Sequence, residues 1–232
     1  MNDQTLARRA GLALVLASLL AIAGFTVLGS VFDYPQILEE PTADILALYR
    51  EHENTVRLWF LVLVASAALM APAGVWLGRL GGGTLGRWIT ITGVAAATVQ
   101  VVGLQRWVTL VPGISQDALD ASLRAAAEDR FELYHLVLGK IVGETIGYAL
   151  TATFTVLVVT GLRGRVFPGW LAVTGYLAAA LIATGVVIPL VEVASLTNFA
   201  GYVVWCAWLL VVAVRLIAPR QAAGTTRLDQ SR

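Results

Sequence analysis

The chain has 232 residues, of which 58% are hydrophobic and only 13% charged, and its mean hydropathy is +0.77. Soluble domains carry about 25% charged residues, so this composition excludes an ordinary soluble fold. The net charge of +1 gives no basic field for nucleic acid, and the single cysteine, Cys206, excludes a disulfide within the chain.

Six apolar stretches follow one another along the chain, and each is long enough to cross a membrane. About 20 helical residues cover ~30 Å of hydrocarbon. Alanine and leucine dominate and nothing alternates with period two, which argues against membrane strands. The sequence therefore predicts an all-α, polytopic membrane protein, a six-transmembrane-helix bundle formed by one domain over residues 1–220. The stretches lie near residues 10–32, 57–79, 87–110, 133–161, 169–190 and 197–218.

The first stretch also has features of a cleaved signal peptide. Arg8 and Arg9 precede it, and the segment 21–23 (Ala-Ile-Ala) is similar to a cleavage site. The apolar run continues to Phe32, however, which favours an uncleaved membrane helix.

Two connections are long enough to hold short helices of their own. Residues 42–53 read as one helix, and residues 116–132 read as another that is capped by Ser115. Both belong to the same side of the bundle, so we expect a small helical cap on the extracytoplasmic side. Residues 221–232 are expected to form a disordered cytoplasmic tail.

Charges are sorted between alternate connections. By the positive-inside rule, the arginine-rich connections face the cytoplasm, so both termini lie inside and the protein belongs to the cell (cytoplasmic) membrane. The arginines are Arg8, Arg9, Arg79, Arg87, Arg163, Arg165, Arg215, Arg220, Arg227 and Arg232. The opposite connections carry Asp33, Glu39, Glu40, Asp44, Glu51, Glu53, Asp117, Asp120, Glu128, Asp129, Glu132 and Glu192.

The fourth stretch holds the main candidates for chemistry. Three glycines four residues apart form a row that lets another helix approach closely. A polar residue follows each glycine, and these residues also share a face. The pairs are Gly139-Lys140, Gly143-Glu144 and Gly147-Tyr148.

Glu144 is the one carboxylate expected within the hydrocarbon, near its middle when counted from Leu133. A charge there costs roughly 2.5–3.5 kcal/mol. Either Glu144 pairs with Lys140 to hold helices together, or it lines a polar cavity open to the outside.

The third and sixth stretches supply residues to meet Glu144. Arg106 either pairs with Glu144 or with the acids of the cap, or extends to the lipid headgroups beside Trp107. We interpret Trp59, Trp88, Trp107 and Trp170 as interface anchors. The candidate binding residues are Gln105, Arg106, His135, Lys140, Glu144, Tyr148, Asn198 and Tyr202.

Both histidines, His52 and His135, fall on the outer side. Glu132 and His135 share a helix face, but their spacing is not that of a zinc motif. We therefore expect no metal and no cofactor.

Short motifs in a fixed order resemble a bacterial family of multi-helix membrane proteins, the domain of unknown function 4386. The resemblance implies a six-helix membrane bundle and no established activity. The motifs are Phe32-Asp33-Tyr34-Pro35 with Leu38 and Pro41, Arg106-Trp107 with Val111-Pro112-Gly113, Gly143-Glu144 with Gly147, Phe167-Pro168-Gly169-Trp170-Leu171, and Asn198-Phe199 with Gly201-Tyr202, Trp205 and Trp208-Leu209.

Three functions stay open at this point. The protein binds or transports a small molecule at a polar site in the outer half of the bundle. Alternatively, it is a membrane enzyme acting on a lipid-like or isoprenoid substrate, with Glu144 as catalytic acid or base. As a third alternative, it is a structural or partner-binding subunit. Its expected partners are the lipid bilayer, a small-molecule or lipid-like ligand and a second copy of itself.

Overall fold

The computed structural model describes residues 2–188, 191 and 194–218, and these residues are almost entirely helical. The predicted tail 221–232 and Glu192 lie outside the described residues. The helices are α1 (Asp3–Phe32), α2 (Thr42–Glu51), α3 (Glu53–Gly81), α4 (Gly83–Thr109), α5 (Val111–Asp117), α6 (Arg124–Tyr134), α7 (Gly147–Leu162), α8 (Gly169–Ala183) and α9 (Ala194–Ile217). Short 3-10 turns cover Gln36–Glu39 and Thr184–Val187, and a π-helical segment, His135–Ile146, joins α6 to α7.

Among the described residues, six helical runs are long and apolar enough to cross a membrane, which confirms the predicted multi-pass architecture. They are Asp3–Phe32, Glu53–Gly81, Gly83–Asp117, Arg124–Leu162, Gly169–Val187 and Ala194–Ile217. The first begins earlier than its apolar stretch because the side chain of Asn2 accepts a hydrogen bond from Thr5 N at 2.9 Å, which caps the helix.

The spanning helices form a ring in chain order. Each packs against the next one along the chain, and α9 packs back against α1. Two apolar cores fill the ring. One lies at the end where α1 begins and joins α1, α3, α4, α7, α8 and α9. The other lies at the opposite end, where α2, α5 and α6 pack together over the ends of α1, α3 and α4.

Two arginines at the first of these ends donate to backbone carbonyls, one at the end of α3 and one in the turn between α7 and α8. Arg165 Nη1 donates to the Leu80 carbonyl at 3.1 Å, and Arg215 Nε donates to the Val166 carbonyl at 3.0 Å. Leu80 belongs to the last turn of α3, whose carbonyls have no partner within the helix. A cation there satisfies a carbonyl and complements the helix dipole.

The predicted helix over 116–132 is interrupted, and Ser115 does not cap it. Ser115 lies inside α5, where its hydroxyl donates to the Pro112 carbonyl at 2.9 Å. A turn then intervenes before α6 begins at Arg124, because Asp120 accepts hydrogen bonds from Ser122 Oγ and Ser122 N at 2.7 and 2.8 Å. These bonds stabilise the carboxylate and lower the pKa of Asp120.

Trp107 lies at the centre of the second core, so its interpretation as an interface anchor is wrong. Its side chain is 0% exposed, stacks on Phe60 with ring centroids 5.0 Å apart, and meets the edge of Phe32 at 5.2 Å. Tyr49 donates its hydroxyl to the Trp107 carbonyl at 3.0 Å. These contacts join α1, α2, α3 and α4. In contrast, Trp88 and Trp170 are exposed, as an interface position requires.

We expect Tyr49→Phe to lower the free energy of unfolding by about 1–3 kcal/mol, because the buried Trp107 carbonyl loses its hydroxyl donor. SDS titration of the protein in mixed micelles measures this quantity. Tyr176→Phe is the matched control: its hydroxyl meets Thr160 at an exposed position, so its loss costs less than about 0.5 kcal/mol. Equal effects of the two substitutions would contradict a special role for Tyr49.

Candidate functional site

The glycine row receives α4 of the same chain. A Cβ atom added to Gly103 would lie 2.8 Å from the Cα atom of Gly143, so the two backbones touch. On either side of this contact, a side chain of α4 lies over another glycine of the row. A Cβ on Gly139 would lie 2.7 Å from Arg106 Nη2, and a Cβ on Gly147 would lie 2.7 Å from Gln100 Nε2. The row is therefore filled from within the chain.

Arg106 does not extend to the lipid headgroups. Its side chain is 5% exposed, and its guanidinium lies against the backbone of Gly139. One nitrogen, Nη1, donates to the Gly103 carbonyl at 2.5 Å, while Nε is buried and makes no hydrogen bond. Because Gly139 has no side chain, the guanidinium of Arg106 fits against its backbone inside the bundle.

Glu144 and Lys140 are half-buried neighbours that do not pair. Among the described residues neither makes an ion pair or a side-chain hydrogen bond, so the predicted Lys140–Glu144 pair is not formed. Thr145 Oγ1 donates to the Lys140 carbonyl, five residues back, at 2.9 Å. The charges of both Arg106 and Lys140 nevertheless act on the Glu144 carboxylate.

Tyr34, which follows α1, lies within electrostatic range of both Arg106 and Glu144. Burial raises the pKa of its hydroxyl to about 12, with a smaller lowering by Arg106 and a smaller raising by Glu144. Its ring contacts the edge of Phe60 at 5.2 Å. At neutral pH the hydroxyl is protonated and is therefore available as a hydrogen-bond donor.

A second group of polar residues joins α4 and α7 to α9. Gln100 Nε2 lies 3.5 Å from Tyr202 Oη, and the Tyr202 ring meets the edge of Tyr148 at 5.6 Å. Asn198 is buried and donates to the Ile182 carbonyl at 2.8 Å. Both Asn198 and Tyr148 lie against Gly185, where a Cβ atom would overlap them. Asn198 therefore connects α9 to the end of α8.

Two of the predicted binding residues make no side-chain hydrogen bond with these groups, although His135 lies within electrostatic range of Arg106 and Lys140. Gln105 is exposed on α4. His135 stacks on Phe131 with centroids 5.8 Å apart, and both of its ring nitrogens are buried without a hydrogen-bond partner. His52 lies 3.8 Å from Glu51. In the part of the chain that the structure describes, no three His, Cys, Asp or Glu residues could hold a metal ion together.

The residues that the sequence offers to meet Glu144 include Gln100, as one of the polar residues Thr98, Gln100, Gln105, Arg106 and Thr109 of the third stretch, but do not include Tyr34. For Gln100 a signal exists, because Gln100, Gly103 and Arg106 recur every three residues and so face one neighbour. No helical spacing predicts that Tyr34 lies near Arg106 and Glu144, because Tyr34 follows the end of α1, where the chain reverses direction.

Six spanning helices around an interior with paired aromatic and polar groups define a multi-pass helical membrane protein. The family model described as "Domain of unknown function (DUF4386)" matches residues 9–213, so the chain belongs to this family. No curated protein and no solved structure matches the chain.

We expect Gly103→Ala to destabilise the bundle by about 1–3 kcal/mol, because the new methyl group meets backbone atoms of the π-helical segment that cannot turn aside. SDS titration again provides the measurement. Gly113→Ala is the control, since no heavy atom lies within 4 Å of a Cβ there. An unchanged stability for Gly103→Ala would refute the close contact of the two backbones.

Proposed function

We propose that the protein lies in the cell membrane with both termini in the cytoplasm and binds a small molecule in the outer half of the bundle. The binding residues form what we call the polar site: Tyr34, Gln100, Arg106, Lys140, Glu144, Tyr148 and Tyr202. Transport of the bound molecule is compatible with this proposal. The orientation is supported by the sorted charges, since arginines gather where α1 begins and α3, α7 and α9 end. It makes the layer of α2, α5 and α6 an extracytoplasmic cap.

The carboxylate of Glu144 is the observation that carries the proposal. It is half-buried inside a spanning helix and has no hydrogen-bond or ion-pair partner among the described residues. A charge at membrane depth is costly, and such residues mark ligand or ion paths by default. A purely structural glutamate would be expected to bond to its neighbours, and Lys140 and Arg106 are both near.

One alternative loses support. A partner-binding subunit that associates through its glycine row needs the row to be free, whereas Gly103 of the same chain already contacts it. The enzyme alternative, with Glu144 as acid or base, needs the same binding by Arg106 and Lys140 and in addition a chemical step for which the polar site offers no separate support. Binding is therefore the function that the polar site supports best.

Access from the outer water tests the proposal. In a Cys206→Ala background, Glu144→Cys is expected to react with a charged, membrane-impermeant thiol reagent added to intact cells from outside. Ile141→Cys is the matched control, because this side chain of the same π-helical segment is 46% exposed on an apolar surface that faces hydrocarbon, where no thiolate forms. Labelling measured by mass shift would appear for Glu144→Cys only.

Two results would end the proposal. One is reaction of Glu144→Cys only when the reagent reaches the cytoplasmic side. The other is no reaction from either side in a variant that elutes as a folded species.

A further inference from the structure

We infer that the bound molecule is an amphiphile with a monoanionic head group, and that Arg106 is the residue that binds this group. The inference rests on the proposed function, because it names the ligand class of the same polar site.

The donors of Arg106 are largely unused. A guanidinium carries five N–H donors in a planar fork. Of these, one is directed to the Gly103 carbonyl, and the buried Nε has no partner. Arg106 is 5% exposed, so bulk water reaches little of the guanidinium, and its Cζ atom lies 5.3 Å from the centroid of the Trp107 ring, which supplies no hydrogen-bonded anion. A buried cation without a hydrogen-bonded counter-charge is strongly unfavourable, which means that the site is completed by an anion from outside the protein.

Glu144 does not provide that counter-charge. Its carboxylate influences Arg106 from a distance but forms no ion pair with it in the described part of the chain. The charges of Arg106 and Lys140 are offset by those of Glu144 and Glu39, which also acts on Glu144, so the ligand class is inferred from the unpaired donors of Arg106 and not from a net charge. The protonated hydroxyl of Tyr34 adds a further donor. One negative charge with two acceptor oxygens, as in a carboxylate or a phosphodiester, therefore fits the site and the fork of the guanidinium.

The surroundings of the π-helical segment suggest that the ligand has an apolar tail. Leu136 and Ile141 are 51% and 46% exposed, and both flank the half-buried Lys140 on the lipid-facing surface. Lys140 is adjacent to Gly139, the residue that Arg106 contacts. A head group that passes Lys140 to reach Arg106 leaves its tail along Leu136 and Ile141. A ligand that enters from the outer leaflet places its head group at Arg106 and its tail along Leu136 and Ile141.

Binding of radiolabelled decanoate to the purified protein in a neutral detergent tests the inference, with empty micelles as background. Decanol, decyltrimethylammonium and acetate serve as competitors: the first two keep the tail and change the head, and acetate keeps the head and removes the tail. We expect saturable binding, competition by decanoate at least tenfold stronger than by decanol or decyltrimethylammonium, and no competition by acetate at equal concentration.

Variants identify the residue. Arg106→Gln is expected to weaken decanoate binding at least tenfold, and Arg106→Lys less, because it keeps the charge without the fork. Gly139→Ala keeps the arginine but displaces its guanidinium, so it also weakens binding and is informative if Arg106→Gln fails to fold. Arg57→Gln is the control, since Arg57 lies near the start of α3 and pairs with Glu53 on the surface at 3.3 Å.

Several results would overturn the inference. Equal competition by decanol would exclude recognition of the anion, and equal competition by acetate would exclude an amphiphile. Wild-type affinity in both Arg106→Gln and Gly139→Ala would exclude Arg106. Absence of saturable decanoate binding, together with outside labelling of Glu144→Cys, would reject the ligand class while the proposed function stands; loss of that labelling would reject both.

Discussion

The contact between Gly103 and Gly143 determines the interior of this protein. Helices in lipid gain little from hydrophobic association, because the hydrocarbon is as apolar as leucine, so close packing of backbones holds them together. Two glycines make that packing possible here. Once α4 and the π-helical segment touch, Arg106 and Gln100 have no room to lie between the helices except over Gly139 and Gly147. The position of the buried charge is thus a consequence of small residues on the opposite helix.

The second core explains why such a charge is held in place rather than released to the headgroups. Trp107 follows Arg106 and is fixed by Phe60, Phe32 and Tyr49. Because these aromatic contacts join α1, α2 and α3 to the end of α4, the helix cannot rotate to turn Arg106 outward without breaking them. The contacts that bury Trp107 therefore also keep Arg106 buried.

Much of the fold follows from the sequence, and the reasons for the exceptions are physical. Six long apolar runs and the spacing of Gly139, Gly143 and Gly147 predict six spanning helices and a close helix contact. The polar outer half of the third stretch predicts that this helix meets the fourth, but the contact of Gly103 with Gly143 does not follow, because no local pattern fixes which residues of two helices touch. The burial of Trp107 was missed because a tryptophan at a helix end usually lies at the lipid interface, and only α2 and α6 folded over it remove it from that surface. The π-helical segment was not predicted either, because the hydrophobic pattern of a helix is compared with a single period of 3.6 residues.

The π-helical segment has a geometric consequence for the whole fourth span. In an α-helix of 3.6 residues per turn, a step of four residues overshoots a full turn by about 40°. A π-helix, with hydrogen bonds five residues apart, turns more slowly and corrects that drift. Inward-facing positions therefore recur at every fourth residue along one seam from the layer of α2, α5 and α6 to the opposite core: Ala127, Phe131, His135, Gly139, Gly143, Gly147, Thr151, Thr155 and Val159. Insertion or deletion of one residue within this span would turn half of the seam out to the lipid.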